Sequence, residues 1–289
     1  MATITLSSAT YLDLSTGTSY ASGSYFYDYD NNYVQSSHGA FYGTIPDGYS
    51  YGGTQWASWA GDSNESAVTA LVVEGSLGYD ITTHVLEGTI DTITFGTDIS
   101  GDSSTGYSVS TPQVTITDLG LTGDDTTDVI TDLYSGSSEA LRAYLYSEDL
   151  TIIGSDGDDT VVSGEGDDVI SGNAGDDDLN GGGGDDTLTG GDGADTFTFT
   201  SYVSSEDDST VTDFGDDTIT DFDASEGDTL YIDYDVYGLT ADEIAALFTV
   251  NDDGDGVIDL SDYGGGTITL TGVTSLDASS IVTESTVAA

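Results

Sequence analysis

From residue 154 the chain settles into a nine-residue register: GSDGDDTVV (154–162), SGEGDDVIS (163–171), GNAGDDDLN (172–180), GGGGDDTLT (181–189) and GGDGADTFT (190–198). The fourth position is always glycine: Gly157, Gly166, Gly175, Gly184 and Gly193. The sixth is always aspartate (Asp159, Asp168, Asp177, Asp186, Asp195), and the eighth is always apolar (Val161, Ile170, Leu179, Leu188, Phe197). A short fixed period means a stack of like units, each burying its apolar side against the next. Glycine admits the positive φ of a tight turn, so that successive carbonyls face inward. The apolar eighth residue then sits on a short strand pointing into the stack, and two repeats complete one turn. The register predicts an all-β parallel β-roll over 151–200.

Charge decides what such a stack needs. The chain has 54 Asp and Glu against one Arg and no Lys, a formal charge of −53 in 29.8 kDa. Self-repulsion on that scale opposes a compact state, and Arg142 alone cannot offset it. The neutralising cation must come from solution. Carboxylates and backbone carbonyls are hard oxygen ligands, the set that calcium takes, at about six per ion. Nucleic acid is excluded, because nothing basic is available to displace phosphate counterions. An anionic membrane surface is excluded for the same reason. Cysteine is absent, so disulfides and thiolate metal sites are absent too. The opening MATITLSS has neither a basic n-region nor an apolar h-region, and no apolar run approaches a membrane span. The expectation is a soluble chain without membrane insertion and, if exported, without a classical N-terminal signal.

The repeats resemble those of RTX proteins, which leave the cell by type I secretion and fold outside it on calcium. The resemblance is close over 154–198 and looser through VTDFGDDTITDFDASEGDTLYID (211–233) and GVIDLSDYGGGTITLTGVTSLDASSIV (256–282). Residues 201–289 are thus expected to supply roll-capping strands, with Val211, Phe214, Ile219, Phe222, Leu230 and Ile232 buried in alternation. The Ser/Thr-rich tail SSIVTESTVAA looks like an uncleaved C-terminal secretion signal. The resemblance implies type I secretion machinery as a partner and an extracellular or cell-surface location. A second calcium motif, NDDGDGVIDLSD (251–262), carries EF-hand-loop spacing through Asn251, Asp253, Asp255 and Asp262. It is followed by a strand, GGGTITLTG, instead of a second helix, so it reads either as a calcium loop or as a hairpin.

Residues 1–150 read as an α+β domain. Runs rich in Thr, Val and Ile at 2–8, 66–75, 76–88, 89–96 and 113–121 predict a curved antiparallel sheet. Two helices follow, at 124–136 and 137–147, the first with acids in its opening turn and Gly136 at its end. FYG (41–43), AVTALVVEGSLGY (67–79), HVLEGTIDTITFG (84–96), Pro112–Leu121 and DLYSGSSEALRAYL (132–145) resemble HasA-type hemophores, in the same order. That resemblance implies haem held by a Tyr and a His, with a further His bonded to the phenol. Tyr79 matches the ligand Tyr and His84 the supporting His. The second ligand His has no counterpart in YFYDYDNNY, and His38 lies only three residues before Phe41. The connection between Tyr79 and His84 is also shorter than a haem-cradling loop, so SLGYDITTHVLEG reads as a tight hairpin.

Two functions stand against each other. One is a non-enzymatic extracellular structural subunit, self-assembling as a homo-oligomer or polymer through calcium. The other is a haem-binding hemophore using Tyr79 and His84. The uncharged ATITLSS (2–8) either completes its own domain's sheet or adds to a neighbouring molecule's. Catalysis has little to stand on. There are two His, one Arg and no Cys, with no HExxH, nucleophile elbow or phosphate loop.

Overall fold

The computed structural model describes residues 1–8, 10–14, 39–42, 51–59, 70–80, 85–102, 105–135, 137–200, 214–233 and 238–283. The chain divides into two compact units, one of Met1–Ser7 with Leu14–Leu145, the other of Ser8–Asp13 with Tyr146–Ala289. The first two strands therefore part company: β1 (Ala2–Leu6) belongs to the first unit and β2 (Tyr11–Asp13) to the second.

The first unit continues with β3 (Gly39–Tyr42), β4 (Tyr51–Trp59), β5 (Ala70–Asp80), β6 (Val85–Asp102), β7 (Gly106–Thr117) and β8 (Leu121–Thr122). Strands β3 to β7 form an antiparallel meander, β1 pairs with β7, and β8 pairs with β6. Gln55 on β4 accepts a hydrogen bond from the Tyr107 amide on β7 (2.9 Å) and donates to the Tyr107 carbonyl (3.1 Å). Three flat strand spacings would separate those strands by about 14 Å, far beyond a glutamine's reach. The sheet must curl strongly.

Helices α1 (Asp124–Ser135) and α2 (Glu139–Tyr146) follow. They bury Val129, Ile130, Leu133, Leu141 and Leu145, residues three to four apart that make one apolar stripe on each helix. Thr126 ties α1 to the sheet by donating to the Gly88 carbonyl at 3.2 Å. Arg142, the chain's one Lys or Arg, is 1% exposed, and its Nε donates to Ser138 Oγ. Strand β1 completes its own domain's sheet. It pairs from Thr3↔Thr117 to Leu6↔Val114, and Ile4 and Leu6 lie in the core.

The second unit adds β9 (Leu150–Ile153), β10 (Thr160–Val162), β11 (Val169–Ala174), β12 (Asp178–Asn180), β13 (Thr187–Asp192), β14 (Thr196–Phe199), β15 (Asp216–Ile219) and β16 (Thr229–Ile232). Helix α3 (Ala241–Leu247) comes next, closed by a Thr240–Glu243 capping box. Then follow β17 (Thr249–Val250), β18 (Gly256–Asp259), β19 (Thr267–Leu270) and β20 (Ile281–Val282). Successive strands alternate between two sheets. One runs β9-β11-β13-β15-β19, all parallel, and the other β2-β10-β12-β14-β16-β20, also all parallel.

The pairing aligns the apolar residues into two files. One is Leu12, Val161, Leu179, Phe197, Leu230 and Ile281; the other is Ile152, Ile170, Leu188, Ile219 and Leu270. Every member is buried, each contributing about 1.5–3 kcal/mol of transfer free energy before entropy is subtracted. Among the residues expected to cap the coil, Phe214, Ile219, Phe222, Leu230 and Ile232 are buried; Val211 lies outside the described residues. Strand β2 was not legible as a member of this unit, yet it pairs in parallel with β10 from Tyr11↔Thr160 to Asp13↔Val162.

Candidate metal centre

Repeats one to four place two adjacent aspartates at the end of a turn, just before the strand, whereas in repeat five Ala194 precedes Asp195. The two aspartates reach along the coil in opposite senses. The exposed fifth-position side chains accept from the next turn: Asp149 from the Asp167 amide, Asp158 from Asp176, Asp167 from Asp185, Asp176 from Ala194 and Asp185 from Asp216, all at 2.9–3.1 Å. The sixth-position side chains turn inward and accept from the preceding turn. Asp168 Oδ1 takes the Leu150 amide, Asp177 Oδ1 the Asp159 amide, Asp186 Oδ1 the Asp168 amide and Asp195 Oδ1 the Asp177 amide, at 2.7–2.9 Å. Asp159 Oδ1 takes the Thr10 amide, just before β2.

These inward carboxylates are 1–2% exposed. Two further members extend the ladders beyond the five in the repeat register. Asp217 Oδ1 accepts from the Asp186 amide and Asp228 Oδ1 from the Asp195 amide. Sequence reasoning passed over both, although Gly215-Asp216-Asp217-Thr218-Ile219 keeps the Gly, Asp and apolar spacing. The signal was there, but out of phase: 31 residues separate Asp186 from Asp217 where 18 separate Asp168 from Asp186.

Burial raises the carboxyl pKa at five of these positions, because charge is costly away from water. Asp186 is pushed up to about 9, first by burial and then by the nearby Asp217 carboxylate. Burial likewise takes Asp168 and Asp195 up to about 6 and raises Asp177 and Asp228. The second oxygens Asp177 Oδ2, Asp186 Oδ2 and Asp195 Oδ2 are buried without a hydrogen-bond partner. Each fills the space that a side chain on the first residue of its own repeat would need. A Cβ on Gly172, Gly181 or Gly190 would come within 2.0–2.1 Å of it. A buried half-paired carboxylate is what a hard divalent cation neutralises. Among the described residues no three acidic or histidine side chains converge on one point, so backbone carbonyls must complete any shell around these oxygens.

The 251–262 segment takes the hairpin form, one of the two readings its sequence allows. Strands β17 and β18 pair antiparallel across it, Thr249↔Val257 and Val250↔Gly256. Asn251 Oδ1 is committed to the amides of Asp253 and Asp255, and Asp255 Oδ1 to the Gly272 amide. Asp262 lies past β18 on a 3₁₀ turn, Ser261–Tyr263. Asn251, Asp253 and Asp255 thus lie in the turn of a hairpin, and Asp262 lies beyond its second strand. In the first unit, β5 and β6 are joined through Asp80↔Val85, with Tyr79 opposite Leu86. The Tyr79 side chain, His84 and His38 lie outside the described residues.

Family models matched along the sequence make this β-rich chain an RTX protein with an N-terminal HasA-like domain. The family model for haem-binding protein A (HasA) matches residues 1–155, and the chain belongs to that family. The RTX calcium-binding nonapeptide repeat, a model of four copies, matches residues 153–188 and 171–199. Calcium is the cofactor of these repeats. Hemophore HasA of Serratia marcescens is 32% identical over 126 residues, covering 40% of this chain and 63% of that protein. The match therefore spans less than two thirds of that relative. Among solved structures, apo hemophore HasA from Yersinia pestis aligns with 50% of this chain and 86% of its own, at 21% identity and a TM-score of 0.39. The AlgE6R3 subunit of the Azotobacter vinelandii mannuronan C5-epimerase aligns with 50% of this chain and 83% of its own, at 32% identity and a TM-score of 0.39. No helix among the described residues is long and apolar enough to cross a membrane.

Proposed function

We propose that this is a secreted, non-enzymatic calcium-binding protein whose C-terminal half folds as a parallel β-roll once it meets external calcium. The observation that carries the reading is the set of buried, half-paired carboxylates at Asp177, Asp186 and Asp195. Those side chains, with turn carbonyls from the fourth-position glycines, would hold the ion. Calcium supplies the charge that allows them to stay ionised inside the coil. Where calcium is scarce the same acids repel and keep the chain open for export; where it is plentiful, binding becomes folding free energy. Asp177→Ala should therefore raise the calcium concentration needed for folding and lower its cooperativity. Glu165→Ala, an exposed third-position change, should leave the titration within about twofold. Equal effects in a calcium titration followed by circular dichroism would mean that bulk charge, not ligand geometry, governs folding.

The N-terminal domain admits a haem reading, favoured by its match to the HasA family over 1–155 and by Tyr79 standing one residue from the end of β5. On that reading Tyr79 is the ferric ligand and His84 supports the phenolate. Haemin should then give a stoichiometric Soret band that Tyr79→Phe abolishes and His84→Ala weakens. A spectrum unchanged by Tyr79→Phe would sink this reading alone.

An extracellular surface or matrix subunit is the finer form of the calcium reading. With Arg142 buried, like chains can associate only through cations, and exposed Asp158, Asp167, Asp176 and Asp185 offer the bridging carboxylates. Exchange of β1 does not serve this reading, since that strand already completes its own sheet.

A further inference from the structure

Seven inward carboxylates have hydrogen bonds assigned above; Asp217 is not among the buried unpartnered ones, and the other six fall into two kinds. At Asp177, Asp186 and Asp195 the second oxygen is buried and unpartnered. At the other three the chain supplies its own donor. Asp159 Oδ2 accepts from the Ser155 amide (2.7 Å) and the Ser155 hydroxyl (2.9 Å). Asp168 Oδ2 accepts a short hydrogen bond from the Ser163 hydroxyl, with the Gly164 amide at 3.5 Å. Asp228 Oδ2 accepts from the Asp223 amide at 2.8 Å.

The division follows the sequence of the repeats. Repeats one and two carry a serine at position two or one, Ser155 and Ser163. Repeats three to five begin with Gly172, Gly181 and Gly190 and have no serine at position one or two. A hydroxyl that fills the space beside the carboxylate removes both the room and the electrostatic need for an ion. A buried carboxylate oxygen with neither donor nor cation costs several kcal/mol, and such a group in a native fold calls for an unseen partner.

We infer that calcium occupies only the three positions built on Asp177, Asp186 and Asp195, and that Ser155, Ser163 and the Asp223 amide close the flanking positions without metal. This rests on the calcium reading above and sharpens it. The coil has metal-free ends and a metal-filled middle, so its first turns, together with β2, need less calcium to order than its centre does.

The test counts ions on the full chain by equilibrium dialysis against calcium in 0.15 M sodium chloride, with circular dichroism to verify folding. The wild type should hold three tightly bound ions. Ser163→Gly should hold four, since it recreates the first-position glycine of the later repeats. Gly181→Ser should hold two: its Cβ would push Asp186 Oδ2 aside, and its hydroxyl would pair with the shifted carboxylate as Ser163 pairs with Asp168. Should Gly181→Ser fail to fold, the wild type and Ser163→Gly still decide the question. Five ions in the wild type, unchanged by Ser163→Gly, would overturn this assignment and leave the calcium reading standing. No tight ion in the wild type would overturn both.

Discussion

Excess chelator at pH 8 should unfold the second unit, and millimolar calcium should restore its strand signal in far-ultraviolet circular dichroism. A site held at a hundred times its Kd contributes about 2.7 kcal/mol. Three such sites give about 8 kcal/mol, comparable with the net stability of a whole domain, about 5–15 kcal/mol. Removing that term while leaving buried carboxylates uncompensated should tip the balance. The pKa shifts fix the pH dependence of the calcium-free state. Folded carboxyls raised to about 6 at Asp168 and Asp195 and to about 9 at Asp186 hold protons that an unfolded chain releases near pH 4. The metal-free fold is then favoured most below about pH 4 and loses stability as pH rises through 6 and on towards 9. In chelator, lowering the pH from 8 to 5 should recover part of the strand signal. A spectrum indifferent to chelator at pH 8 would falsify calcium-driven folding.

Gly193→Ala should be among the most damaging single methyls in the repeats. Gly193 sits at φ +151°, and a Cβ there would lie 1.9 Å from the Gly175 carbonyl oxygen and 2.7 Å from its carbon. That carbonyl belongs to the turn stacked against it, tied in place by the Gly175 amide donating to Asp192 O at 3.0 Å. Neither backbone can yield without opening the ladder on which Asp177 and Asp195 sit. The calcium midpoint should rise at least a hundredfold, about 2.7 kcal/mol, or folding should fail outright. Gly254→Ala is the control: its φ is +95°, but a Cβ there meets nothing within 4 Å. It should cost only the conformational term, about 1–2 kcal/mol. If both variants fold at the calcium concentration of the wild type, the stacked turns do not pack as described.

The coil was largely legible because its signal is periodic. One apolar residue in nine fixes the file of buried side chains, and one aspartate in nine fixes the inward ladder. What the period could not convey was anything outside it. Tyr11–Asp13 joins β10 through backbone pairing and one apolar side chain, Leu12, and three residues carry no pattern. Asp217 and Asp228 keep the chemistry of the ladder but lose its spacing. The serine closure of Asp159 and Asp168 depends on whether a hydroxyl reaches a particular oxygen, which a repeat consensus does not express.

In the first unit the helices were readable from their apolar spacing and terminal residues. The strands were readable in type but not in length. Glycines that look like punctuation lie inside long strands. Gly75 and Gly96 sit at register shifts within β5 and β6, where a Cβ would run into the Thr89 or Thr111 carbonyl at 2.0–2.1 Å. Glycine there marks a bulge and a close backbone approach, the alternative meaning of glycine in a strand.

Arg142, buried in a helix of the first unit, has a practical consequence for anyone handling the protein. A protease that cuts after Lys or Arg finds one bond in the entire chain, Arg142–Ala143, and that bond is enclosed within Glu139–Tyr146. Cleavage there must wait for the helix to open, so its rate reads the local opening of that segment. Trypsin becomes a one-site reporter of the N-terminal unit, able to follow its integrity while calcium is varied around the other.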